Sequence, residues 1–187
     1  VPHPSGDIHA EILHTNFNNF LSVVMRRELA ERVGFIDRSV PVNEDQFFWI
    51  KLAMQKVEFH YLDAVVGRYR FQRAGSNSRR RSHLRDAADW MLWIYGWVFD
   101  HLLESERLRF SLEAYKDTWR LKGFAGHLID CDREGAEKLL HEWGKNPMRR
   151  LVVWLLFGIE RLLPIALLSR SLSFLYNLKL TRKMKPR

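Results

Sequence analysis

The sequence predicts an α/β segment over residues 1–80 followed by an all-helical region, and three features carry that expectation. Short β-branched or alternating runs, at 22–25, 58–62 and 65–69, are interleaved with helical patterns in the first 80 residues. From Ser82 onward the apolar residues recur at helical spacing. The 187 residues, 47% hydrophobic and 13% aromatic, suffice for a packed core and are too apolar for a disordered chain.

Taken in order, Ser22-Val23-Val24-Met25 reads as a buried strand. Arg27 to Val33 has helical composition and stops at Gly34, a residue suited to a left-handed cap. Asn43, followed three residues later by Gln46, approximates a capping box opening a helix to about Gln55. Phe47, Phe48, Ile50, Leu52, Ala53 and Met54 make that helix apolar on most sides, so it is expected to be buried. Glu58 to Leu62 alternates, Val65 to Tyr69 continues as a second strand, and Gly75-Ser76-Asn77-Ser78 marks a loop.

Ser82 to Leu103 is a long helix pattern crowded with Trp90, Trp93, Tyr95, Trp97 and Phe99, whose spacing favours core over a sugar-stacking platform. Glu106 to Leu128 sets Leu108, Leu112, Tyr115 and Trp119 in one stripe. Asp132 caps a shorter helix ending at Gly144, and Asn146-Pro147 starts another. The expected divisions are therefore 1–80, a helical extension at 81–146, and an apolar helix with basic tail at 147–187. Two or three strands cannot complete an α/β sheet, so residues 1–80 are expected to be the second half of a domain whose first half is not in this chain.

Charge is unevenly placed. Residues 148–187 carry nine Lys or Arg against Glu160 alone, giving +8, while residues 1–147 balance at 21 of each sign. Such a cationic tail points to a polyanionic surface, either a membrane with anionic lipids or a nucleic acid. A second basic run, Arg68, Arg70, Arg73, Arg79, Arg80, Arg81 and Arg85, holds no intervening acid. The single cysteine, Cys131, excludes an internal disulfide and Cys-rich metal modules and fits a reducing, cytoplasmic setting. The opening Val1-Pro2-His3-Pro4 has no secretory signal pattern.

Four landmarks then occur in order: Ser22-Val23-Val24-Met25-Arg26-Arg27-Glu28, Val33-Gly34-Phe35-Ile36-Asp37, Glu44-Asp45-Gln46-Phe47-Phe48-Trp49-Ile50-Lys51-Leu52-Ala53, and Tyr61-Leu62-Asp63 with Tyr69-Arg70 and Gly75–Ser78. Together, over 16–78, they resemble the C-terminal half of the catalytic domain of family 2 glycosyltransferases, enzymes of GT-A (Rossmann-like) fold. The resemblance implies inverting transfer of a sugar from a nucleotide-sugar donor to a hydroxyl of a saccharide or lipid-linked acceptor, in cell-surface glycan or polysaccharide synthesis. Asp45 matches the family's base and would take the acceptor's proton, with Glu44 orienting the site. Arg73, with Gln72 and Arg70, would contact the donor diphosphate, as Arg suits bidentate phosphate contact.

The family also implies Mg²⁺ or Mn²⁺ held by an Asp-x-Asp motif, mostly outside this chain, so the fragment is expected to be inactive alone. Asp130-Cys131-Asp132 has that spelling only and sits at a helix-cap position. Gln72-Arg73 stands where the family has His after Tyr-Arg. No His-Glu-x-x-His, Gly-x-Ser-x-Gly, Walker or Gly-x-Gly-x-x-Gly motif occurs.

Leu151 to Leu168 has the length of a membrane span, but Glu160-Arg161 lies at its middle and Pro164 follows. An in-plane interfacial helix, peripheral on the inner membrane face, stands beside the alternative of a core helix with a basic end. The rival to an enzyme is a non-catalytic basic helical module binding anionic membrane or nucleic acid. No aromatic-interleaved recognition motif accompanies the charge, so nucleic acid is not expected.

Overall fold

Helices form where apolar residues recur at helical spacing, and among the described residues no β-strand forms. The computed structural model describes residues 4–68, 82–107, 111–143, 154–156, 158, 161, 165–167 and 169–173. The expected α/β half is therefore corrected: the described fold is all-α. The strand patterns failed because an extended segment becomes a strand only when a neighbour pairs with its backbone. Val23 is extended (φ −115°, ψ 133°) and no ladder joins it; residues 58–62 contribute one isolated antiparallel bridge, Gly6 to Phe59, with N–H···O distances of 2.6 and 2.9 Å. Val65 to Arg68 is irregular, and Tyr69 lies outside the described residues.

The chain divides into two compact units, one of residues 1–73 with 93–115 and one of residues 74–92 with 116–187. The first holds α1 (His9–His14), a 3₁₀ turn (Phe20–Ser22), α2 (Arg27–Arg32), α3 (Glu44–Met54), the later part of α4 (His83–His101) and α5 (Glu104–Arg107). As its all-round apolar composition predicts, α3 is the centre: Gln46, Phe47, Phe48, Trp49, Ile50, Leu52 and Ala53 are all buried. Each large apolar side chain so buried contributes about 1.5–3 kcal/mol.

The polar atoms that α3 takes inside are satisfied. Trp49 Nε1 donates to the Asn18 carbonyl at 3.1 Å, and Gln46 Nε2 donates to the Ile12 carbonyl at 3.0 Å. Tyr95 donates its hydroxyl to the Leu13 carbonyl at 2.6 Å, and Phe47 meets Trp97 edge-on at 4.9 Å. The aromatic-rich helix is thus core along one side, with Met91, Ile94, Tyr95 and Val98 buried, although Trp93 remains 46% exposed.

Both α2 and α3 end in the same way. Gly34 (φ 74°) gives its N–H to the Glu31 carbonyl while Phe35 reaches back to Ala30, and Lys56 (φ 55°) does the same to Ala53 while Val57 reaches Leu52. These are Schellman caps. The Lys51 ammonium then covers the end of α2, donating to the Val33 and Phe35 carbonyls at 2.8 and 3.2 Å. Lys56, turned outward, pairs with Glu106 at 2.9 Å.

The second unit holds the start of α4, most of α6 (Leu112–Ile129) and α7 (Arg133–Trp143). Its core is Phe124, Leu128, Ala136, Leu139, Leu140 and Trp143, against which Leu92, Leu156, Ile165 and Leu172 pack. Trp143 Nε1 donates to Asp117 at 2.7 Å. Helices α4 and α6 approach closely at Gly126, where a Cβ would lie 2.6 Å from the Arg85 backbone nitrogen. Gly126→Ala should therefore force the two helices apart and cost about 1–3 kcal/mol in urea denaturation. Gly96→Ala, where a Cβ meets nothing within 4 Å, should be neutral or stabilise by up to about 1 kcal/mol.

Candidate functional site

Asp45 sits half-buried in the first turn of α3. The expected capping box is not there. Asn43 adopts the left-handed conformation (φ 62°) and makes no side-chain cap, and the Gln46 amide is occupied by Ile12. Asp45 serves the helix start instead: its Oδ1 accepts from the Gln46 N–H at 2.7 Å and its Oδ2 from Asn16 Nδ2 at 2.8 Å. Both oxygens are thereby engaged, one by the helix that carries it and one by a segment 29 residues earlier. This is an anion held at a helix N-terminus, where dipole and free amides favour it. Glu44 is half-buried beside it. Asn16 is the partner that sequence reasoning missed, since a lone exposed Asn carries no signal. Arg70, Gln72 and Arg73, together with Arg79 to Arg81, lie outside the described residues.

Basic side chains gather elsewhere on the first unit. An open pocket is lined by Arg26, Arg27, Glu28, Leu29 and Arg32, with Arg27 paired to Glu31 at 2.7 Å. The sequence offered Arg26 and Arg27 only as part of a landmark, and Arg32 only within a stretch of helical composition.

A denser charged cluster lies in the second unit, around the turn from α6 to α7. His127, 8% exposed, holds Asp132 through Nδ1 at 2.8 Å and has its Nε2 3.8 Å from Asp89. Asp132 in turn accepts from the Gly135 N–H at 2.9 Å, the α7 cap that the sequence predicts. Arg85 pairs with Asp86 at 3.0 Å and with Asp130 at 3.1 Å. Asp130 and Asp132 are thus engaged by Arg85, His127 and the α7 amide. They do not fit a divalent ion, and among the described residues no group of three or more His, Cys, Asp or Glu could hold one.

Comparison with known proteins returns no match among family models, curated proteins or solved structures. The resemblance to family 2 glycosyltransferases is corrected accordingly. Its landmarks fall on real helices at α2 and α3, but the described part of 16–78 contains no sheet on which a GT-A site could be built.

Burial by itself would lower the His127 pKa, but the hydrogen bonds and charges of Asp89 and Asp132 outweigh it and raise it above 6.5. Asp132 is shifted the other way, chiefly by its bond from the Gly135 amide and then by His127. A raised folded-state pKa means that the His127 contribution is complete below the unfolded value and is lost as pH rises through the folded one. The thermal midpoint of the protein should therefore fall as pH rises through the raised folded-state value of His127, and His127→Asn should flatten that slope. An unchanged slope in His127→Asn would show that the clasp contributes nothing.

Proposed function

We propose that the chain is a basic helical module that attaches peripherally to an anionic membrane surface through residues 148–187. The observation that carries this reading is the two-sidedness of the tail. Leu156, Ile165 and Leu172 pack inward against the core of the second unit, and the Ser169 hydroxyl donates to the Ile129 carbonyl at 2.7 Å. Outward stand Trp154, Leu155 and Leu167, 71%, 52% and 53% exposed, with Arg161 and Arg170 also exposed. Large apolar side chains held outward among cations suit the headgroup boundary, where Trp is at home and Arg meets phosphate. The +8 of this segment adds electrostatic attraction of about 1 kcal/mol per Lys or Arg near an anionic leaflet.

Among the described residues no helix is long and apolar enough to cross a membrane. The cytoplasmic leaflet, where anionic lipids concentrate, is the surface proposed. Sugar transfer is not part of this reading, because it depended on the family resemblance that the fold overturns.

Flotation with phosphatidylserine-containing and pure phosphatidylcholine vesicles tests it. Binding should require the anionic lipid, weaken with salt, and fall about fivefold for each of Arg161→Gln and Arg170→Gln. Trp154→Ser with Leu155→Ser and Leu167→Ser, which leaves the inward Leu156, Ile165 and Leu172 in place, should weaken it further. Equal flotation of the triple variant, or tighter binding to nucleic acid than to vesicles, would refute the proposal.

A further inference from the structure

The approach to α2 exposes extended backbone and an apolar side chain together. Backbone is extended at Val23 (φ −115°, ψ 133°) and at Arg26 (φ −70°, ψ 137°), and between them Val24 is 100% exposed. Among the described residues no backbone hydrogen bond engages Val23, Val24 or Met25. A second exposed apolar segment comes alongside: a Cβ on Gly67 would lie 3.6 Å from the Leu21 carbonyl oxygen, and Leu62, Val65 and Val66 nearby in sequence are 71%, 96% and 56% exposed. A single exposed valine means little, but Val24, between extended residues that lack a backbone partner among the described residues, together with the exposed Leu62, Val65 and Val66 of the segment that reaches Leu21, offers more apolar surface than one side chain.

Two needs coincide here, apolar cover and backbone pairing. An extended polypeptide answers both at once, since its N–H and C=O groups complete a ladder while alternate side chains cover the valines. Charge indicates how it lies. The extended segment runs directly into Arg26, which with Arg27, Glu28, Leu29 and Arg32 lines the open pocket. Arg27 is answered by Glu31 and the pocket holds one acid, Glu28, so an incoming carboxylate finds Arg26 and Arg32.

We infer that the Val23–Arg26 edge receives an extended apolar segment of a partner polypeptide whose acidic end lies over Arg26 and Arg32. This inference is independent of the membrane reading, which concerns the other unit.

A phage-displayed library of random dodecapeptides, panned against the full chain, supplies the probe, and fluorescence anisotropy of the enriched peptide measures affinity. Enriched peptides should alternate apolar residues and carry Asp or Glu at one end. Val24→Asp and Arg26→Glu should each weaken binding at least about tenfold. Both side chains are exposed, so the variants should melt like the parent. Replacing the peptide's acid by Lys should restore binding to Arg26→Glu, and N-methylation of alternate peptide amides should abolish it. Enrichment without such sequences, or affinity indifferent to both substitutions, would overturn the inference. Sedimentation showing a dimer dispersed by Val24→Asp would also overturn it, because the face would then be covered by a second copy.

Discussion

The second unit depends on the reversal of the chain at Asp130–Asp132. Cys131 takes a left-handed φ of 61°, which costs a residue with a side chain about 1–2 kcal/mol. Three hydrogen bonds offset the strain: Cys131 N–H to the Leu128 carbonyl, Asp132 N–H to the His127 carbonyl, and Gly135 N–H to the Asp132 carboxylate. With α6 closed and α7 started by one turn, Phe124 and Leu128 face Leu139 and Leu140 across a shared core. His127 then fastens the turn from beneath through Asp132, and Arg85 brings the start of α4 to Asp130. The Ile129 carbonyl that this closure presents is the one Ser169 binds.

The first unit obeys a different constraint, the burial of one short helix from every side. Because α3 has almost no polar face, its neighbours must approach from all round, and the polar atoms it carries inward dictate where they sit. Gln46 sets α1 through Ile12, Trp49 sets the segment at Asn18, and Lys51 sets the end of α2. Asp45 belongs to this scheme. Its Oδ1 accepts from the Gln46 N–H and its Oδ2 from Asn16, which ties the helix start to the segment before it.

Much of the helical content was legible. Gly34 announced its cap because glycine is the usual occupant of that position, and Asp132 announced α7. The equivalent caps at Lys56 and Cys131 could not be read, since those residue types carry no such signal and only the backbone shows it. Helix α1 escaped because six residues give too little periodicity. The strand expectation erred for a physical reason. Apolar β-branched patterning reports that a segment would suit a sheet, but pairing needs a second segment at hydrogen-bonding distance. Val24, read as buried, is wholly exposed for want of one. At the candidate sites, the sequence located Asp45 but not Asn16, and it read Asp132 as a cap without showing that His127 shares the same carboxylate.

What ties the account to function is the outward apolar row on an otherwise cationic tail. Trp154 reports on it directly when bromine-labelled phosphatidylserine vesicles are added and tryptophan fluorescence is compared between the parent chain and Trp154→Phe. The account predicts quenching in the parent that is lost in the variant, with both still bound through their charges. Equal quenching in the two, or none in either at saturating lipid, would contradict it.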